Sequence, residues 1–194
     1  DVERAPRSFS SWAEVARWYQ ELAEPQGALA PPLVEKALAL TAGARNDLEK
    51  VRAITRFVQR LNSISIQIGL GRLRPHAAAD ILAKGYGDCK DKSTLTRALL
   101  AAVGVPAHLV LVTSGNPDYV REEWASPSQF NHCIVAIHPP TGLKPTIEHP
   151  RLGGLLIFDP MDPDTQLGDL PHHEQGGLAV IAAPEGGLVR LPRL

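Results

Sequence analysis

Cys89, His132 and Asp159 are the side chains of this sequence whose types and settings could make and break an acyl bond. Cys89 stands in the run KGYGDCKDKS, where a glycine-containing turn meets the start of an apolar helix. Unsatisfied N–H groups and the dipole at such a helix start favour a thiolate over a thiol. The same N–H groups could hold the oxyanion that develops when a thiolate attacks a carbonyl. A nucleophilic cysteine also needs a base within hydrogen-bond reach and a third group that fixes the tautomer of that base. His132 opens the run HCIVAIH and Asp159 closes GLLIFDP, so neighbouring strands could bring the two to one sheet edge. Asp159 before Pro160 is also an ordinary strand terminator, and Asp162 is the alternative acid if the register slips.

Other polar residues have plainer readings. Asp88, Lys90, Asp91 and Lys92 read as a solvated first turn whose acids suit the helix dipole. Cys133 follows His132 directly, so on a strand it faces away from the site and serves as a core thiol. His172, His173 and Glu174 lie adjacent in a polar loop, without the spacing that sets metal ligands on one face, and no metal is expected there. The polar loop from Ser114 to Gln129 leads into Asn131 and His132, and its Trp124, with Asn131, is a candidate for shaping a substrate groove.

The elements that must position these residues come in two blocks. Ser11 and Glu14 suggest a capping box, and Trp12, Val15, Tyr19 and Leu22 recur at helical spacing, which predicts a helix to about Glu24. Pro32 starts a second helix that ends near Thr41, and Asn46 caps a third that presents Leu48, Val51, Thr55, Val58 and Leu61. Ile64, Ile66 and Ile68 alternate with polar residues as in a half-buried strand. HAAADILAKG predicts a short helix, and the stretch from Cys89 to Val103 a central, buried one. AHLVLVT, NHCIVAIH and GLLIFDP read as strands, followed by two weaker ones in GLAVIAA and GLVRL. Helices first and strands afterwards imply an α+β fold with an antiparallel sheet.

Bulk properties narrow the function classes. The 194 residues suit one domain with a real core. Twenty basic and 21 acidic residues give a formal charge of −1, which removes the attraction that carries non-specific binding to nucleic acid or anionic membranes. No apolar run approaches the roughly 20 residues of a membrane-spanning helix, and the first residues lack the order of a signal peptide. Starting at Asp1, the chain is expected to be part of a larger polypeptide.

YGDCKDKSTLTRALLAAVGVPAHLVLV, FNHCIVAI and IFDPMD together resemble the three signature blocks of the bacterial transglutaminase-like superfamily, from about Leu48 to Asp162. The resemblance implies a papain-like core at 46–162; outside it, the residue patterns give a helical segment at 1–45 and strands at 163–194 of the same single domain. It implies that Cys89 forms a thioester, His132 shuttles the proton and Asp159 orients His132. Gln67 or Tyr86 could complete the oxyanion hole. It further implies a protein or peptide substrate, no cofactor, and a periplasmic or extracellular setting. Hydrolysis and amine transfer share the thioester, so the triad does not choose between them. The alternative reading is an inactive binding module on the same fold.

Overall fold

The computed structural model describes residues 8–64 and 73–194. Helix α1 (Trp12–Ala23) begins where Ser11 accepts the Glu14 N–H at 3.2 Å, while the Glu14 carboxylate takes the N–H and hydroxyl of Ser10. After a 3-10 turn at Glu24–Gly27, α2 (Pro31–Thr41) starts one proline earlier than the sequence predicts. Asn46 caps α3 (Asp47–Gln59) by accepting the Glu49 N–H at 2.9 Å, and Val51, Ile54, Thr55 and Val58 form its buried face.

A two-residue strand, β1 (Asn62–Ser63), then pairs in parallel with β2 (Tyr86–Gly87). The alternating isoleucine strand predicted to reach Ile68 falls mostly on residues 65–72, outside the described residues. Between β1 and β2 runs α4 (Ala78–Lys84), closed by Gly85 in the left-handed region at φ 76°, where a Cβ would strain the backbone. Helix α5 (Cys89–Ala102) follows β2 directly.

The rest of the chain makes the sheet: β3 (Ala107–Val112), β4 (His132–Ile137), β5 (Ile147–His149), β6 (Gly153–Phe158), β7 (Leu178–Ala182) and β8 (Gly187–Arg190). Its order is β5-β6-β4-β3-β7-β8, antiparallel throughout. Strand β5 escapes sequence reading because three residues stopped by Pro150 carry too little alternation to register.

Two-residue periodicity divides the strands between two faces. Val135, Ile137, Leu156 and Phe158 meet Leu95 and Leu99 of α5, with Leu33, Val51, Ile54 and Val58 behind them. Alongside, Val15 and Tyr19 of α1 pack on Leu109, Leu111, Cys133 and Val180. The opposite face gathers Val110, Ile134, Ala136, Leu155, Ile157 and Ile181 under Leu170 and Leu191. Helix α5 contacts α2, α3, α4, β3 and β4, so apolar residues all round it are burial and not error. Each of Leu95, Leu99 and Leu100 is fully buried and contributes about 1.5–3 kcal/mol by leaving water.

The polar first turn of α5 departs from the solvated reading, since Lys90, Asp91 and Lys92 are all buried. Lys92, fully enclosed, donates from Nζ to the Leu61 carbonyl and Ser63 Oγ at 3.1 Å each, and to the Gln59 carbonyl at 3.4 Å. It thereby satisfies backbone acceptors at and just past the end of α3 that would otherwise be orphaned. Burial pushes its ammonium below the usual lysine range, although Asp159 opposes this.

Candidate active site

Asp88 positions Cys89 at the first residue of α5. Its Oδ1 accepts the Asp91 N–H at 3.1 Å and Asp91 Oδ2 accepts the Asp88 N–H at 3.4 Å, a reciprocal capping box. Lys90 Nζ bonds Asp88 Oδ2, and Asp91 Oδ1 also accepts the His76 N–H at 2.8 Å. The helix start is thus held from both sides. Gly87 is required by close approach, because a Cβ there would sit 2.7 Å from Asp91 Cβ.

His132, the first residue of β4, stands opposite Val112 of β3. Strand β6 runs antiparallel to β4 with Phe158 opposite Val135, which brings Asp159 level with the start of β4. His132 Nε2 lies 3.1 Å from Asp159 Oδ2, and Asp159 Oδ1 accepts the Met161 N–H at 2.8 Å, so both carboxylate oxygens are used. The Cys89 side chain stands close enough to the same imidazole to raise its hold on the proton. With Nε2 committed to carboxyl oxygen, Nδ1 is the nitrogen left for the thiol.

Glu174 also reaches this ring. A 3-10 turn at His172–Glu174 turns its side chain inward, and Oε1 lies 3.2 Å from His132 Nε2 and 3.8 Å from His173 Nε2. The side chain is fully buried, and neither carboxyl oxygen receives a hydrogen bond among the described residues. The histidine nitrogen and the carboxyl oxygens of Asp159 and Glu174 all lie within 4.8 Å of one another, compact enough to surround a cation as well as a proton. Sequence reading missed this role because it compared Glu174 only with its neighbours His172 and His173. A buried acid in a polar loop is the one signal that could have marked it, and burial is not visible in sequence.

Burial alone would push the His132 imidazolium towards losing its proton. The buried carboxyls of Asp159 and Glu174 and the nearby Cys89 thiol override that and hold it well above the usual histidine range. Burial pushes the Glu174 carboxyl up, opposed by His132 and reinforced by Asp159.

The other sequence candidates fall in varied places. Asp162 holds its own turn instead, accepting the Asp164 N–H at 2.9 Å and the Thr165 hydroxyl at 2.8 Å. Gln67 lies outside the described residues. Tyr86, on β2 three residues before Cys89, is 41% exposed. Asn131 is engaged with Ser114, accepting its N–H at 2.8 Å and donating to its carbonyl at 3.1 Å, so its amide staples the two ends of the 114–131 loop. Trp124 is 66% exposed on that loop, whose backbone is tied by the Gln129 side chain to Arg121 and Trp124 and by Trp12 Nε1 to Glu122.

Cys133 is buried and unpaired with Cys89, as a core thiol should be. Facing away from His132 does not take it away from Cys89, however. The strand's other face is the helix side, where Cys89 packs against the same cluster as Cys133. Burial and the nearby Cys89 push the Cys133 thiol up to about 12, which makes it a poor competitor for electrophiles.

A family model described as transglutaminase-like superfamily matches residues 35–138. The match begins within α2, earlier than the resemblance read from the motifs, and includes Cys89 and His132; Asp159 lies beyond it. No curated protein matches. Among solved structures, a candidate protease from Parabacteroides distasonis is 16% identical with a TM-score of 0.65, over 95% of this chain and 32% of its own. A candidate cysteine protease from Cytophaga hutchinsonii is 19% identical with a TM-score of 0.47, over 71% of this chain and 41% of its own. LapG of Legionella pneumophila is 13% identical with a TM-score of 0.47, over 97% of this chain and 89% of its own. The chain thus spans about a third of the Parabacteroides protein, with which it shares the fold.

Proposed function

The chain belongs to the transglutaminase-like superfamily, and from that premise we propose that it is a cysteine-dependent acyl-transfer enzyme that hydrolyses amide bonds of a protein or peptide. One observation carries the reading: a single imidazole meets a helix-start thiol and, at Nε2, a buried carboxylate 3.1 Å away. That is the arrangement of an activated nucleophile, its base and the group that fixes the base.

In this reading the Cys89 thiolate attacks the substrate carbonyl carbon, and the tetrahedral oxyanion is held by N–H groups at the start of α5. His132 gives its proton to the departing amine, leaving a thioester on Cys89. It then takes a proton from water as the water attacks the thioester, and the carboxylic acid leaves as the thiolate beside the imidazolium is restored. Asp159 keeps the Nε2 proton in place throughout, so the ring's other nitrogen does the proton work.

Alkylation of Cys89 by iodoacetamide across pH, read by peptide mass mapping, tests this without a known substrate. The expected result is rapid modification of Cys89 at neutral pH that falls at least about ten-fold in His132→Ala with the fold retained, as loss of the base that keeps the thiolate requires. In a peptidase assay, Cys89→Ala should leave no turnover. A Cys89 that reacts at the same rate with and without His132 would instead leave a binding module of the same fold.

A further inference from the structure

We propose that Glu174 is a positioning residue of this site, a second carboxyl that shares one proton with Asp159 and shuts the far side of His132 Nε2. The inference rests on the acyl-transfer reading for its purpose, though its geometry stands apart from it. One imidazole N–H can point well at one acceptor, and Asp159 Oδ2 takes it at 3.1 Å. Glu174 Oε1 lies only 3.2 Å from the same nitrogen without completing a hydrogen bond, and both its oxygens are buried and undonated. An ionised carboxylate so placed would be buried with no hydrogen bond completed on either oxygen, whereas a carboxylic acid has a proton to give. The acceptor at hand is Asp159, whose carboxyl oxygen, that of Glu174 and the His132 nitrogen all lie within 4.8 Å of one another.

The surrounding charges favour the same state. Facing the Asp159–Glu174 pair are His132 from β4, Cys89 and Lys92 from α5, and His173 on Glu174's own turn. Fully ionised, Asp159, Glu174 and Cys89 would set three negative charges against His132 and the more distant Lys92. One shared proton leaves a thiolate, an imidazolium and a single carboxylate charge. Like carboxyl pairs in one buried site keep a proton for this reason. The consequence is steric as well as electrostatic: with Glu174 filling the space beyond Nε2, the ring cannot swing away from Asp159.

Two readouts test the proposal. The first is carbon-13 NMR of carboxyl-labelled glutamate, with the Glu174 resonance assigned by its loss in Glu174→Gln. It should titrate above the other glutamates and respond to Asp159→Asn. The second is Cys89 alkylation at pH 7, which should fall about ten-fold in Glu174→Ala. Glu174→Gln, a neutral donor of the same shape, should recover most of that loss. A Glu174 carboxyl ionised with the surface glutamates, or a Gln variant as slow as the Ala variant, would overturn the shared proton. A Cys89 rate indifferent to His132→Ala would sink the acyl-transfer reading alone, because the NMR titration needs no reactive thiol.

Discussion

Single residues set this site's tolerances, and Gly87 has the narrowest. An added Cβ would stand 2.7 Å from Asp91 Cβ and 3.3 Å from Ile81 Cγ2, so either the capping box or α4 must shift. Gly87→Ala should cost about 1–3 kcal/mol in urea unfolding and slow Cys89 alkylation, since Asp91 belongs to the box that fixes the helix start. Gly43→Ala is the matched comparison, because a Cβ there meets nothing within 4 Å, and it should stay within about 0.5 kcal/mol of the parent. Equal losses in both variants would show that the close approach at Gly87 does not matter. At this scale Cys89, His132 and Asp159 were legible because each combines a reactive type with a turn or strand-end setting. Glu174 was not, since what distinguishes it is burial against His132, a contact made by the return of the chain after β6.

Pairs of elements turn sequence patterns into register. Strand β3 lies against β4 with His108 opposite Ala136, and His108 Nε2 comes to 3.1 Å from Nε2 of His138, just past the end of β4. One of the two nitrogens must then accept, which keeps at least one ring neutral. Burial first, and then His138 and Arg97, lower His108 to about 4. The sign follows from linkage: the unfolded chain, with histidine near 6.5, binds this proton earlier than the folded one as pH falls. Stability from His108 is complete above about pH 6.5 and is lost as pH drops towards about 4, by at most about 3 kcal/mol. Urea unfolding of the parent and His108→Gln at pH 7 and pH 4.5 should show a smaller loss in the variant; parallel losses would remove His108 as the source. Helical spacing and alternation foretold α1, α2, α3, α5, β3, β4 and β6 closely. They could not foretell that the charged first turn of α5 would be buried, because Lys92 finds its acceptors only at the end of another helix, α3.

Over the whole molecule, α1 closes the helix side of the sheet where α5 does not reach. Val15, Ala16 and Tyr19 are fully buried against Leu109, Leu111, Cys133 and Val180. The Tyr19 hydroxyl lies 3.9 Å from Cys133 Sγ, and burial holds that phenol well above its usual range. A chain lacking residues 1–24 would therefore expose a broad apolar face. It should bind a hydrophobic dye and lose cooperative unfolding, while retention of a sharp urea transition would show that α1 is an accessory. The sequence by itself determined the α+β order, the family and the three side chains proposed for the site, because periodicity, capping residues and turn residues act over a few neighbours. Only the tertiary structure decided which charges are buried, where Cys133 points relative to Cys89, and that His132 meets two carboxyls. Those facts depend on strands β4 and β6 and the turn at Glu174 converging from distant parts of the chain, and no local pattern encodes such a convergence.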